Sequence, residues 1–288
     1  MSTTVKLTAV EIDDLRRKLE EEGFELRRLD HGHFHARGPD VVVNAYKSGK
    51  VVVQGKGETD FLRQHGFAAA AAPALDGPVA GSDESGKGDY FGPLVVAAVV
   101  AGPAQLDDLA GAGVRDGKKM SDGSVLRAAA AVRKLCPHAV RALAPPDYNA
   151  RHEQEKNVAL FLSTLHAEAI AEVVGKAKAC ELVVIDQFTF TERLESALQA
   201  QGIDLPVEIR PRAEDNPAVA AASVLARAEF LIALKELGHE WGRTLPKGAN
   251  AGVEQVAREI FRTGGIEALH KVAKTHFKTT GRVTEKLF

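Results

Sequence analysis

Along the chain the apolar positions change their period several times, and each change marks an element. Ile12, Leu15 and Leu19 recur at helical spacing behind Thr8 and Glu11, a pair whose hydroxyl and carboxylate can each reach a free backbone N–H. Gly23 supplies the stop. Short strand-like stretches follow at Phe24–Leu29, His33–Arg37, Val41–Tyr46 and Val51–Gln54. The turn between the last two, Lys47-Ser48-Gly49-Lys50, puts glycine where a hairpin needs positive φ. A short helix near Thr59–Gln64 closes a small α+β unit over residues 1–66.

Residues 67–78 are alanine-rich, carry two prolines within FAAAAAPALDGP, and read as a linker. From residue 79 to 288 the pattern is that of an α/β core. Pro78–Ser82 and LVVAAVVA (94–101) predict neighbouring buried strands joined through a glycine-rich loop. Leu126–Leu135 and Asn157–Val174 have helical character, LVVI (182–185) is a buried strand ending at Asp186, and Val207–Ile209 is another short strand. Val219–Leu234 is a long helix of small residues, and two or more helices finish the chain. Strands first, then strands mixed with helices, define an α/β fold with a separate α+β unit before it.

Composition narrows the class without naming it. The 288 residues are 45% hydrophobic and 26% charged, ordinary for a globular protein. No run of about 18 uncharged apolar residues suggests a membrane span, and the first residues lack a secretion pattern. Cys136 and Cys180 are too few for a zinc or disulfide framework, so both read as core residues and the expected compartment is the cytoplasm. Net charge is −2, but its distribution is uneven. Between Arg27 and Lys56 six basic residues face two acidic ones, and from Gly242 to Phe288 nine face four. Two basic stretches around an acidic middle suit a polyanion held over metal-binding acids; solvated surface charge is the plainer alternative.

The loop GSDESGKGDYFG (81–92) nearly spells a phosphate-binding loop, with Gly81, Gly86 and Lys87 in place but Gly88 where a hydroxyl belongs. Asp83 and Glu84 inside it would repel a nucleotide's own charge, and a strand rather than a helix should follow. No nucleotide cofactor is expected. The acids instead suit hard cations, which gather oxygen ligands from separate elements. Asp186 is a second supplier, and Glu214 or Asp215, just ahead of the small-residue helix, a third. Singly, each of these acids could be a turn or cap residue. Adjacent strand residues point to opposite faces, so Asp83 and Glu84 can share one site only where the strand kinks or ends.

These residues resemble a known family. GSDESGKGDYFGPLVVAA is similar to the signature of ribonuclease HIII, a bacterial relative of ribonuclease HII. DGKKMSD (116–122), YNARHEQEKNVALFLSTLHAEAI (148–170), VAAASVLAR (219–227) and LPKGA with KTHFKTT (245–280) extend the likeness over nearly the whole chain. The resemblance implies a ribonuclease H-like catalytic domain, a mixed sheet flanked by helices, preceded by a small TATA-binding-protein-like domain that helps hold substrate. It implies an endonuclease cutting the RNA strand of RNA/DNA hybrids with two Mg2+ or Mn2+ ions, leaving 5′-phosphate and 3′-hydroxyl ends. Carried onto this chain, the metal-binding acids are Asp83, Glu84, Asp186 and Glu214, with Asp215 as rival for the fourth. Ser85, Gly86, Lys87 and Gly88 fall at the ribose, whose 2′-hydroxyl marks RNA, with a phosphate contact as the alternative for Lys87. Lys118 and Lys119 are candidate phosphate contacts. In the first unit Tyr46, Lys47, Lys50, Gln54 and Lys56 lie on or beside one hairpin, where a tyrosine flanked by bases could stack and neutralise backbone charge; otherwise Tyr46 is core. His33 and His35 read as surface residues. Ribonuclease HII enzymes use a tyrosine in their C-terminal half to cut at single ribonucleotides; no tyrosine follows Tyr148 here, which predicts weak junction cleavage. A monomer is expected.

Overall fold

A computed structural model describes residues 2–29, 32–65, 77–115, 117 and 120–284. The chain divides into two compact units, residues 1–73 and 74–288; of the stretch read as a linker, 67–78, residues 67–76 lie outside the described residues.

The N-terminal unit is an antiparallel sheet of five strands with two helices. The strands are β1 (Ser2–Lys6), β2 (Glu25–Arg27), β3 (Gly32–Arg37), β4 (Val41–Tyr46) and β5 (Lys50–Gly55), in the order β1-β5-β4-β3-β2. Helix α1 (Ala9–Glu21) starts at the expected reciprocal cap: Thr8 N donates to Glu11 Oε2 at 2.7 Å and Glu11 N to Thr8 Oγ1 at 3.3 Å. Its buried Ile12, Leu15 and Leu19 pack with Phe34, Val43, Val51, Val53 and Phe61, the last from α2 (Glu58–Gln64). Burial alternates along β4, with Val41, Val43 and Ala45 inside and Val42, Asn44 and Tyr46 on the other face. That is a sheet covered on one side. The β4–β5 hairpin turns through Gly49 at φ 81°, as its sequence requires. Strand β1 was not anticipated, because STTVK has too few apolar residues to announce a strand.

The C-terminal unit holds a mixed sheet ordered β10-β9-β6-β7-β8. Its strands are β6 (Val79–Ser85), β7 (Leu94–Ala101), β8 (His138–Leu143), β9 (Leu182–Asp186) and β10 (Val207–Arg210). Strands β6, β9 and β10 run parallel, while β7 and β8 are antiparallel to their neighbours. All eight residues of β7 are buried, the signature of a strand covered on both faces. One cover is α8 (Pro217–Glu240) with α4 (Asp122–Leu135); the other is α6 (Val158–Lys176) with α7 (Thr191–Ala200). Each buried Val or Leu in these layers contributes about 1.5–3 kcal/mol.

The small residues of α8 let it sit against the sheet. A Cβ on Gly81 would stand 2.2 Å from the backbone of Ala218 and Val219, so glycine is the condition for that approach. By length and apolarity α6 and α8 could cross a bilayer, but here they are the two principal helices against the sheet. The remaining helices are α3 (Leu106–Gly111), α5 (Pro145–Glu155), α9 (Ala251–Val272) and α10 (Lys278–Thr284). Cys136 is buried, and burial pushes its thiol up to about 11, which makes it an inert core residue.

Candidate active site

Parallel pairing of β6, β9 and β10 brings their C-terminal ends to one edge of the sheet, where ligands of open α/β sheets collect. Ser82 pairs with Ile185, so one step further Asp83 and Asp186 occupy corresponding positions on adjacent strands. The alternation of a strand holds through the acidic pair. Gly81 faces α8, and Asp83, two residues on and 2% exposed, lies on that side. Ser82 and Glu84 lie on the α6 side. There Ser82 Oγ donates to Ala97 O at 3.0 Å and lies 2.7 Å from His166 Nδ1, while His166 Nε2 is 3.4 Å from Glu84 Oε2. His166 is fully buried and stacks on Phe188 with centroids 4.7 Å apart. Lys87 Nζ stands 3.6 Å from Glu84 Oε1 and 5.2 Å from the centre of the Phe188 ring. The strand ends one residue later at Ser85, and Gly86 turns it at φ 88°, so the two acids lie close to a strand end but on opposite faces of the sheet.

Asp186 and Glu214 are joined through one backbone contact. Ala213 N donates to Asp186 Oδ1 at 3.1 Å, and Glu214 is the next residue, inside a short 3-10 turn, Ala213–Asp215. Neither Glu214 nor Asp215 caps α8. That task falls to Asn216, whose side-chain oxygen accepts from Ala218 N at 2.9 Å. The two acids then part company. Asp215 is exposed and ion-paired with Arg210. Glu214 Oε2 is buried and has no hydrogen-bond partner.

Among the described residues no three His, Cys, Asp or Glu side chains already stand close enough together to enclose an ion. The edge offers the donor set instead: four carboxylates from β6, β9 and the turn before α8, with oxygen atoms only. That chemistry, together with the orphaned Glu214 oxygen, fits a hard divalent cation.

The segment after Ser85 runs strand–turn–strand into β7, without the helix that follows a phosphate-binding loop. It is fastened from the C-terminal part of the chain. The fully buried Lys274 donates through Nζ to Asp89 O at 2.8 Å and Gly92 O at 2.6 Å, and burial pushes its pKa down to about 7. Gly248 N donates to the Asp89 carboxylate at 2.6 Å, and Tyr90 OH meets Thr280 Oγ1 at 2.9 Å. Asn149, from the Tyr-Asn segment, accepts from Thr275 N at 3.0 Å and donates to Ala273 O at 2.9 Å. These contacts place Ser85, Gly86, Lys87 and Gly88 along a cavity of about 350 Å³ that Glu84, Arg227, Phe230 and Lys247 also line.

Of the other candidates, Lys118 and Lys119 lie outside the described residues. Tyr46, Lys50 and Gln54 lie on the face of the N-terminal sheet away from its core, and Tyr46 is 36% exposed rather than buried. Lys47 and Lys56 are exposed in the turns at either end of β5. His33 is exposed, and His35 lies half-buried with Nδ1 2.7 Å from Asn44 Oδ1. Sequence reasoning did not single out His166, Phe188, Arg227, Lys247 or Lys274. Arg227 and Lys247 stood inside matched motifs, but only the fold brings them to the loop.

Comparison with known proteins gives the class first. The family model for ribonuclease HII matches residues 80–280, and that for a domain of unknown function, DUF3378, matches residues 2–74. The chain is 34% identical to the ribonuclease HIII of Protochlamydia amoebophila over 99% of its length and 97% of the relative's. It is 37% identical to that of Chlamydia pneumoniae over 96% and 95%. It also resembles the crystal structure of Bst-RNase HIII in complex with Mn2+, with TM-score 0.71 and 32% identity over 99% of each chain. The Aquifex aeolicus RNase H3 structure matches with TM-score 0.57 and 26% identity over 95% of this chain and 99% of that one. The chain belongs to the ribonuclease HIII family.

Proposed function

We propose that this chain is an endoribonuclease that hydrolyses the RNA strand of RNA/DNA hybrids at the carboxylate edge formed by Asp83, Glu84, Asp186 and Glu214. The observations that support the reading are the corresponding places of Asp83 and Asp186 at the ends of adjacent parallel strands, the bond from Ala213 N to Asp186 beside Glu214, and the Glu214 Oε2 left buried and unpartnered while Asp215 is spent on Arg210. Two Mg2+ or Mn2+ ions held there would supply a nucleophilic water at neutral pH and charge neutralisation at the phosphodiester and its leaving 3′ oxygen. Products are a 5′-phosphate and a 3′-hydroxyl.

The chain's own residues bind and orient. Asp83 and Asp186 are held by main-chain N–H groups of Glu84 and Ala213, which keep their oxygens from turning away. The Ser85–Gly88 turn presents backbone to the sugar, and Gly88 leaves open space where a Cβ would stand. Discrimination for RNA resides there, because the 2′-hydroxyl is both donor and acceptor. Lys87 neutralises a neighbouring phosphate, as do Lys118 and Lys119. The exposed Tyr46, Lys47, Lys50, Gln54 and Lys56 of the N-terminal unit give that unit a substrate-holding role with no part in the bond cleavage.

The test uses a uniform RNA/DNA hybrid and a DNA duplex containing one ribonucleotide, with Mg2+ or Mn2+ and with chelator. Expected is metal-dependent cutting of the hybrid into 5′-phosphate fragments and weak cutting at the lone ribonucleotide. Absence of metal-dependent hybrid cleavage would overturn the proposal. Equal cutting of the two substrates would replace it with a ribonuclease HII-like specificity.

A further inference from the structure

The cavity beside the Ser85–Gly88 turn has a second wall that the carboxylate chemistry does not use. Arg227 projects from α8 and Lys247 from the segment before α9, and both line the cavity. They meet on one acid. Lys247 Nζ donates to both oxygens of Asp122, at 2.9 and 2.7 Å, and Arg227 Nη2 donates to Asp122 Oδ1 at 2.9 Å. Arg227 Nη1 also donates to Gly117 O at 2.6 Å. One arginine thus ties both Gly117 and Asp122 to α8.

Two cations around one carboxylate leave a surplus positive charge. They also leave donors unspent: the ammonium has a third N–H, and the guanidinium has more than the two engaged here. The cluster is open to solvent, with side-chain exposures of 45% for Lys247 and 21% for Arg227. A purely structural ion pair gains little at that exposure. Its donors and charge are those that recognise phosphate oxygens, which only accept. The Asp122 carboxyl lies below its ordinary range, first through the Lys247 hydrogen bond and then through Arg227, so it stays ionised and keeps both cations in place.

We propose that Arg227 and Lys247, positioned by Asp122, form a phosphate subsite for the nucleic-acid strand passing beside Ser85–Gly88. This rests on the hybrid-cleaving reading above and adds to it the residues that seat a phosphodiester next to the one being cut.

The experiment measures steady-state cleavage of a uniform hybrid by the full chain at several KCl concentrations. Lys247→Ala raises KM about tenfold, leaves kcat within about twofold, and lowers the slope of log KM against log salt by about one. Lys247→Arg recovers most of the loss. Asp122→Asn raises KM about threefold although it adds net positive charge, because the cations lose their anchor. Thermal unfolding checks that each variant is folded. An unchanged KM and salt slope in Lys247→Ala, or a lower KM in Asp122→Asn, would overturn the subsite while the parent's cleavage stands. A parent that does not cut the hybrid removes the reading itself, and the subsite with it.

Discussion

The two sheets of the described residues have five strands each and opposite surroundings. The N-terminal sheet is wholly antiparallel and covered on one face, so its strands alternate buried Val41, Val43 and Ala45 with outward Val42, Asn44 and Tyr46. The substrate-holding surface proposed for it is its uncovered face, where Tyr46, Lys50 and Gln54 are exposed. The C-terminal sheet is mixed and covered on both faces, so β7 has no polar side to offer. The chemistry proposed for it falls at the edge where parallel strands end, and Asp83 and Asp186 stand there on neighbouring strands. An open face suits distributed, salt-sensitive contact with a polymer. A buried edge suits a few acids held at fixed places.

That contrast can be broken from either side, and the largest effects belong to the buried sheet. Gly81→Val drives a side chain into the α8 backbone, where even a Cβ would be 2.2 Å away, and costs about 3 kcal/mol of stability. A lowered urea midpoint with unchanged slope checks it. Glu214→Gln lowers hybrid cleavage about a hundredfold, some 2.7 kcal/mol of barrier, whereas Asp215→Asn stays within about threefold of the parent. Comparable losses in the two variants would move the fourth acid to Asp215.

Lys274→Met leaves the carbonyls of Asp89 and Gly92 without their donor and costs about 2 kcal/mol, read by denaturant unfolding. It also changes the pH profile. Burial lowers the folded-state pKa of Lys274 from 10.5 to about 7, so between those values the unfolded chain binds more protons and stability rises with pH. Below about pH 7 both states are protonated and this slope vanishes. The difference in melting temperature between variant and parent therefore changes across pH 7–10 and is flat below. The smallest effect is on the open sheet. Lys50→Ala raises KM about threefold at physiological salt, less at high salt, with kcat unchanged.

What could be read from the sequence follows the same division. β4, β5, α1 and β7 announced themselves because each matches one clear period with its turn or cap. Asp83 and Glu84 were legible because they interrupt an apolar strand beside glycines. β8 was missed because HAVRAL has neither clean alternation nor a turn signal, and α5 because its opening Pro-Pro reads as loop. Between the adjacent letters Glu214 and Asp215, the preference for Glu214 comes only from the family resemblance. What the structure adds is a 3-10 turn in which Glu214 Oε2 is buried and an Arg210, five residues earlier, that pairs with Asp215. Lys274 and Arg227 were legible only as members of motifs. Their meaning lies in contacts 185 and 105 residues away along the chain.

The division between a binding face and a cutting edge is tested most directly by measuring hybrid binding and single-turnover cleavage on the same preparation of Asp83→Asn with Mg2+. The account predicts affinity within about threefold of the parent and cleavage reduced by at least a hundredfold, on the order expected when a transition-state charge loses its preorganised partner. Cleavage persisting near the parent's rate, or binding lost together with it, would contradict the account.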